Sequence, residues 1–141
     1  MKKLKESTFE SQNIDHIGIA VKSLEKSIPL YQEILNFEYE GTEELEDQQV
    51  RAAFFKTGHS RIELLEPMNH LSPVATFIKK RGEGIHHIAL KVENIDERIQ
   101  QLKAQGIRMI DQKPRIGAKK VTIAFIHPNS THGVLYELCQ Q

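Results

Sequence analysis

Excess charge is missing from this chain: Lys plus Arg equals Asp plus Glu at 19 each, so nothing global draws it to nucleic acid or to an anionic membrane surface. Cysteine is almost missing too. Cys139 stands alone, which excludes an internal disulfide framework. No apolar run approaches the roughly 20 residues that a membrane-spanning helix needs. The basic start Met1-Lys2-Lys3-Leu4-Lys5 meets Glu6, Ser7 and Thr8 instead of an apolar stretch. Residues 1–12 therefore read as an N-terminal extension and not as a signal peptide. With 141 residues the chain suits one ordinary domain and is short for two independent ones. These exclusions leave a cytoplasmic enzyme or binding protein with a small-molecule partner as the expectation.

What is there is a repeat. Ile14-Asp15-His16-Ile17-Gly18-Ile19-Ala20-Val21 returns as Ile85-His86-His87-Ile88-Ala89-Leu90-Lys91-Val92, and Arg61-Ile62-Glu63-Leu64-Leu65 returns as Leu135-Tyr136-Glu137-Leu138-Cys139. Each copy carries one histidine and one glutamate, so His16 and Glu63 correspond to His87 and Glu137. Two half-domains about a pseudo-twofold axis would bring these four side chains to one point.

The segments between the repeated words can be read from periodicity and punctuation. Ile17, Ile19 and Val21 alternate with His16, Gly18 and Ala20, which is the period of a strand, and the small residues leave room beside the imidazole. Ser23 caps a predicted helix to about Leu35, with Leu24, Ile28, Tyr31, Ile34 and Leu35 as its buried stripe, Pro29 bending it and Asn36 ending it. Three strands follow at about 37–44, 49–57 and 60–66, with Gly58-His59 turning between the last two. Ser72-Pro73 opens a linking helix over about 72–82, and Gly82-Glu83-Gly84 is the hinge between halves. The second half repeats the plan with a strand to Val92, a helix capped by Asn94 and closed by Gly106, and strands near 107–110, 120–127 and 133–139. Module one spans about 13–68 and module two about 84–141, which predicts an α+β fold of two pseudo-symmetric βαβββ modules with mostly antiparallel sheets.

A carboxylate flanked by apolar strand residues costs several kcal/mol to bury unpaired, so Glu63 and Glu137 need a cation, a donor network or water. A metal ion satisfies both at once. Two imidazoles and two carboxylates suit a divalent ion that keeps positions open for water or substrate oxygens, and zinc, cobalt, nickel, manganese and iron all accept such ligands. A duplicated structural ion pair would leave the same trace. His86 adjoins His87, but strand alternation puts its side chain on the opposite face, so the register with His16 selects His87 and gives His86 a structural role. His59, His70, His127 and His132 have no repeat partner and read as loop histidines. Cys139 shares the face of Glu137 and reads as a buried, inert thiol. Lys119-Lys120 forms a small basic cluster suited to a phosphate or carboxylate, or to plain solvation, and Glu43, Glu44, Glu46 and Asp47 read as a solvated acidic loop.

Over about residues 13–141 the arrangement resembles the vicinal oxygen chelate (glyoxalase/bleomycin resistance/dioxygenase) superfamily, in which paired βαβββ modules form curved sheets around a metal-containing cleft. Within it the chain is most similar to the methylmalonyl-CoA epimerase family, through Ile14-Asp15-His16, Ile62 to Pro67, Gly84 to Ala89, Ala124 to Pro128 and Gly133 to Leu138. The resemblance implies that His16, Glu63, His87 and Glu137 hold one divalent ion, zinc, cobalt, nickel or manganese. It implies an isomerase that interconverts methylmalonyl-CoA epimers by 1,1-proton transfer through a metal-stabilised enolate, an acyl-CoA thioester as partner, and Glu137 as both ligand and proton carrier. Two positions depart from the family pattern: Ala52 stands where some epimerases carry a second acid/base glutamate, and Lys119-Lys120 replaces a glycine-rich loop. A glyoxalase I-type lactoylglutathione lyase, using the same ligand logic, is the nearest rival. A non-enzymatic protein that sequesters a small molecule is the alternative from another class. A homodimer is expected, since open curved sheets leave edges and apolar faces to cover.

Overall fold

The computed structural model describes residues 13–141; the expected extension over 1–12 lies outside the described residues. Strand β1 (Asn13–Ala20) leads through helix α1 (Leu24–Pro29) to β2 (Glu38–Leu45), β3 (Val50–Thr57) and β4 (Ser60–Pro67). Helix α2 (Pro73–Arg81) links to β5 (Gly84–Lys91), followed by α3 (Ile95–Ala104), β6 (Arg115–Ile116), β7 (Thr122–Ile126) and β8 (Tyr136–Gln140). All eight strands form one sheet in the order β2-β3-β4-β1-β5-β8-β7-β6. The order reads the same from either end once the two modules are exchanged. β1 and β5 pair antiparallel at its centre, and each pairs parallel with the last strand of its own module, β4 or β8.

The outermost strands of this sheet nearly meet. Glu43 of β2 accepts a hydrogen bond from the backbone N–H of Lys119, just past β6, at 3.0 Å. The sheet therefore curls around the face that carries His16 and His87. Its outer face packs on α1 through Leu24, Ala53, Phe55 and Leu64, and on α3 through Ile95, Ile99, Met109, Ala124 and Leu138. Along the inner face Ala20, Ala52, Phe54 and Leu65 pack against Val74 of α2, and Ala89, Ile123, Phe125 and Cys139 form a second cluster.

Helix signals act where the sequence places them. Ser23 accepts from the N–H of Lys26, Ser72 from Val74 with Pro73 in the first turn, and Asn94 from Glu97. Pro29 does more than bend its helix. It has no N–H to continue the α ladder, and the chain changes to a π-helical turn over Leu30–Ile34, closed by the Leu35 N–H on Leu30 O at 2.9 Å and by Asn36 at φ 61°. The wider turn rotates the expected stripe out of phase, so Ile34 and Leu35 face solvent while Leu24 is buried. A second correction concerns the strand expected near 107–110, where Met109 makes only an isolated bridge to Ile126. The counterpart of β2 is instead the two-residue β6.

Candidate metal centre

Strand register places the expected side chains. Gly18 on β1 lies between Glu63 of β4 and His87 of β5, and Ala89 on β5 lies between His16 of β1 and Glu137 of β8. Each module thus contributes a small residue at the centre and one large polar side chain on either side. Gly18 is required by space: a Cβ there would lie 2.6 Å from Nδ1 and 2.8 Å from Nε2 of His87, and closer still to its Cε1. The imidazole of His87 occupies the volume that any other residue would fill.

His16, Glu63, His87 and Glu137 are each only 5 % exposed. The Nε2 atoms of His16 and His87 face each other at 3.2 Å, and Glu137 reaches His16 Nε2 at 3.1 Å and His87 Nε2 at 4.0 Å. Ligand atoms of His16, His87 and Glu137 lie within 4.8 Å of one another, close enough to share one ion. Glu63 is placed differently. Its Oε2 sits 3.1 Å from Nδ1 of His16, on the far side of the ring from that cluster. Three of the four expected side chains thus converge, and the fourth backs the first.

Burial works against a charge on His16, yet hydrogen bonds to Asp15 and Glu137 and the nearby charge of Glu63 outweigh it and raise its pKa to about 10. These neighbours favour the imidazolium form of His16 when no metal is bound, with Nδ1 facing Asp15 and Nε2 facing the cluster. His87 is held neutral, well below the usual histidine range, by burial and then by the positive charge of His16. Glu63 is pushed up to about 7, chiefly by burial, with the attraction of His16 only partly opposing it. Asp15 is lowered, first by its hydrogen bond to His16. Loss of the extra proton from His16 leaves two neutral imidazoles and a carboxylate around a pocket of about 30 Å³, which is the donor set and the space that a small divalent ion requires.

His86 overturns its expected place. The register of β5 against β1 slips between His87 and Ile85, so His86 is the extra residue of a β-bulge and does not point away from the site. Its Nδ1 lies 3.0 Å from Nδ1 of His87, and its ring meets Phe77 of α2 edge-on. Asp15, marked in the sequence only by its place in the repeat, is the extra residue of the matching bulge on β1 and lies 2.8 Å from His16 Nδ1. Both immediately precede the histidine they touch, a shared repeat position that could have flagged them.

Cys139 is buried, its thiol pushed up by burial, and its Sγ approaches Asp15 at 3.8 Å. Lys119 lines the cavity, with Nζ 4.6 Å above the Phe54 ring and 3.9 Å from Glu40. Lys120 does not line it. Arg61 also lines the cavity and approaches the same Glu40 at 3.8 Å. Glu43 and Glu44 belong to β2 and are engaged with Lys119 and Arg51, so they are not a free acidic loop. His59, His70, His127 and His132 stay outside the cluster. Ala52 is fully buried among apolar side chains on the inner face. Among the described residues no helix is long and apolar enough to cross a membrane.

A family model described as the glyoxalase/bleomycin resistance protein/dioxygenase superfamily matches residues 15–125. The chain is 43 % identical over 127 residues to the uncharacterized protein YqjC of Bacillus subtilis, covering 90 % of this chain and 91 % of that one. It is 35 % identical over 135 residues to the mitochondrial methylmalonyl-CoA epimerase of Homo sapiens, covering 95 % of this chain and 77 % of the human one. Among solved structures, a variant of Streptomyces coelicolor methylmalonyl-CoA epimerase in complex with 2-nitronate-propionyl-CoA superposes with a TM-score of 0.88 at 38 % identity, covering 92 % of this chain and 94 % of that chain.

Proposed function

The chain belongs to the glyoxalase/bleomycin resistance protein/dioxygenase superfamily, and from that premise we propose that it is a metal-dependent epimerase interconverting the two epimers of methylmalonyl-CoA by 1,1-proton transfer. The observation that carries the reading is the convergence of His16, His87 and Glu137 on one buried point at the junction of the two modules. Likeness to the human and Streptomyces epimerases supports the substrate class.

In this reading His16 Nε2, His87 Nε2 and Glu137 hold a divalent ion, with Glu63 as the fourth member of the set. The ion supplies positive charge that orients substrate oxygens and offsets the charge developing as the α-proton leaves. The chain's own residues do the rest. Glu137, whose carboxylate lies beside the His16 and His87 nitrogens, takes the proton from one face of the α-carbon; inversion needs a second carrier to deliver a proton to the opposite face, a role that Ala52 leaves to another group. Arg61 and Lys119, at the rim, meet the anionic end of the substrate. The central pocket of about 30 Å³ has no room for a coenzyme arm, so the arm runs into the adjoining groove of about 510 Å³, which shares His87 as a wall and is lined by Phe77, Lys80, Arg81 and Val134. A homodimer and a cytoplasmic location complete the proposal.

One observation favours a second reading. Ala52 gives the inner face no carboxylate where some epimerases carry their second acid/base, and a glyoxalase I-type isomerisation needs only one base beside the ion. Proton exchange at the α-carbon of methylmalonyl-CoA in deuterated water separates the two. Rapid exchange by metal-loaded protein, lost in Glu137→Gln and after chelator treatment, is the expected result. A folded, metallated protein that exchanges nothing but turns over the methylglyoxal–thiol adduct would transfer the assignment to the lyase.

A further inference from the structure

We propose that Asp15 and His86 are matched positioning residues: each is the extra residue of a β-bulge, and each fixes Nδ1 of the histidine that follows it so that both Nε2 atoms turn into the cavity. The inference rests on the metal reading of the site but not on any substrate. Between Ile14↔Leu90 and His16↔Ala89 the ladder passes over Asp15, and between Gly18↔His87 and Ile19↔Ile85 it passes over His86. A regular strand would send each of these side chains to the opposite face from the histidine after it. The two bulges, related by the pseudo-twofold axis, bring them back beside it.

The proton positions follow from the contacts. Asp15 Oδ2 accepts from Nδ1–H of His16 at 2.8 Å and is itself approached by Cys139 Sγ at 3.8 Å. His16 Nε2 and His87 Nε2 face each other at 3.2 Å, turned toward the same point. A ligand needs His87 Nε2 as a lone pair, so the ring proton belongs on Nδ1, and His86 Nδ1 lies 3.0 Å away, placed to accept it. The contact with His86 thus favours the tautomer that a ligand must have and holds the ring orientation from behind. The two supports differ in kind. His16 is backed by an anion and also by Glu63 at 3.1 Å, whereas among the described residues His87 Nδ1 has only the neutral His86. His87 is accordingly the more vulnerable ligand.

The test is nitrogen NMR of the histidines in metal-free protein near neutral pH, combined with zinc affinity by chelator competition. Wild type should show His87 protonated at Nδ1. His86→Gln, whose amide oxygen can accept the same proton, should keep that tautomer; His86→Phe, which keeps a ring against Phe77 but offers no acceptor, should lose it and weaken zinc binding by about 10- to 100-fold. Asp15→Asn should weaken zinc less than His86→Phe does. A wild-type His87 protonated at Nε2 overturns the proposal even if the variants fail to fold, as does a His86→Phe variant with unchanged tautomer and zinc affinity. Protein with the expected tautomer and zinc binding that exchanges no α-proton would remove the epimerase reading alone.

Discussion

Gly18→Ala should cost the site its metal while leaving the fold in place. The added methyl would lie 2.6 and 2.8 Å from the two ring nitrogens of His87, against the roughly 3.5–4.0 Å at which non-bonded heavy atoms pack. Cε1 is closer still, so about 1.5 Å must be made up there. The ladder between β1 and β5 resists separation because it joins the two modules at the centre of the sheet. The ring must rotate instead, and leaving its rotamer by about 30° costs about 0.5–1.5 kcal/mol. Including overpacking of the inner face, a stability loss of about 1–3 kcal/mol is expected. Metal affinity should suffer more, because coordination tolerates only about ±0.2 Å and the displaced Nε2 is one of three converging ligand atoms. Loss of that contact should weaken zinc or cobalt binding by at least about 100-fold, or about 2.8 kcal/mol. Competition against a chromophoric chelator measures it, with a thermal melt confirming that the variant is folded. Ala89→Gly is the control, since Ala89 occupies the axis-related place beside His16 and its methyl already fits. A folded Gly18→Ala protein that binds metal within a factor of about three of wild type would refute the spatial argument.

Metal-free protein should lose thermal stability as pH rises from about 7 to about 10. His16 has a folded pKa of about 10 against 6.5 for the free side chain, so its contribution is complete below the unfolded value and disappears as pH climbs through the folded one. Glu63, at about 7 against 4.5, acts in the same direction over a lower window, while the depressed His86, at about 4, and His87 make the protein lose stability as pH falls below 6.5. A flat melting profile between pH 7 and 10 with chelator present would mean that His16 is neutral there. Lys119→Ala should raise KM for the anionic substrate several-fold with little change in kcat, because Lys119 lines the cavity without touching the ligand cluster; an equal fall in kcat would place it in the chemistry. Lys120→Gly should stabilise the protein by about 0.5–1 kcal/mol, as Lys120 is held at φ 59° and lies outside the cavity, and urea denaturation would detect either sign.

Much of the fold was legible because its signals are local. Ser23, Ser72-Pro73 and Asn94 start helices by supplying acceptors to unpaired N–H groups, and those contacts form irrespective of the rest of the chain. The repeat also singled out His16, Glu63, His87 and Glu137 among seven histidines and many carboxylates, and the structure brings His16, His87 and Glu137 together. What escaped depends on departures from regular period. The face of His86 was misread because alternation assumes an unbroken ladder, and a bulge cannot be recognised from a run such as Gly84-Ile85-His86-His87. Likewise Pro29 signals that an α hydrogen bond is lost but not that the chain will widen into a π turn and expose Ile34. Glu63 was correctly placed on the inner face, yet its contact with the far nitrogen of His16 depends on side-chain rotation, which register does not fix.

The departures from symmetry are as informative as the symmetry. A perfectly twofold cavity would offer the same groups from both modules and would receive a substrate in either direction. Here the axis-related pairs differ: Gly18 against Ala89, Asp15 against His86, and Glu63 behind His16 against Glu137 within the cluster. Each difference assigns a side. Asp15 puts negative charge behind His16, with the Glu63 carboxyl at the same nitrogen, while His87 is backed by a neutral ring beside a groove of about 510 Å³. Under the proposed epimerase reading, an anionic substrate with a long arm on one end would fit such a field in one orientation, its arm leaving past His86 and its charged end toward Arg61 and Lys119. A reaction that changes the configuration of one carbon while the rest of the molecule stays fixed needs that polarity, because the base must meet the same carbon on every turnover. In the proposed metal reading, the repeat accounts for candidate ligands that come in pairs, and the differences at the three pairs of neighbours would let a paired site act on an unsymmetrical molecule.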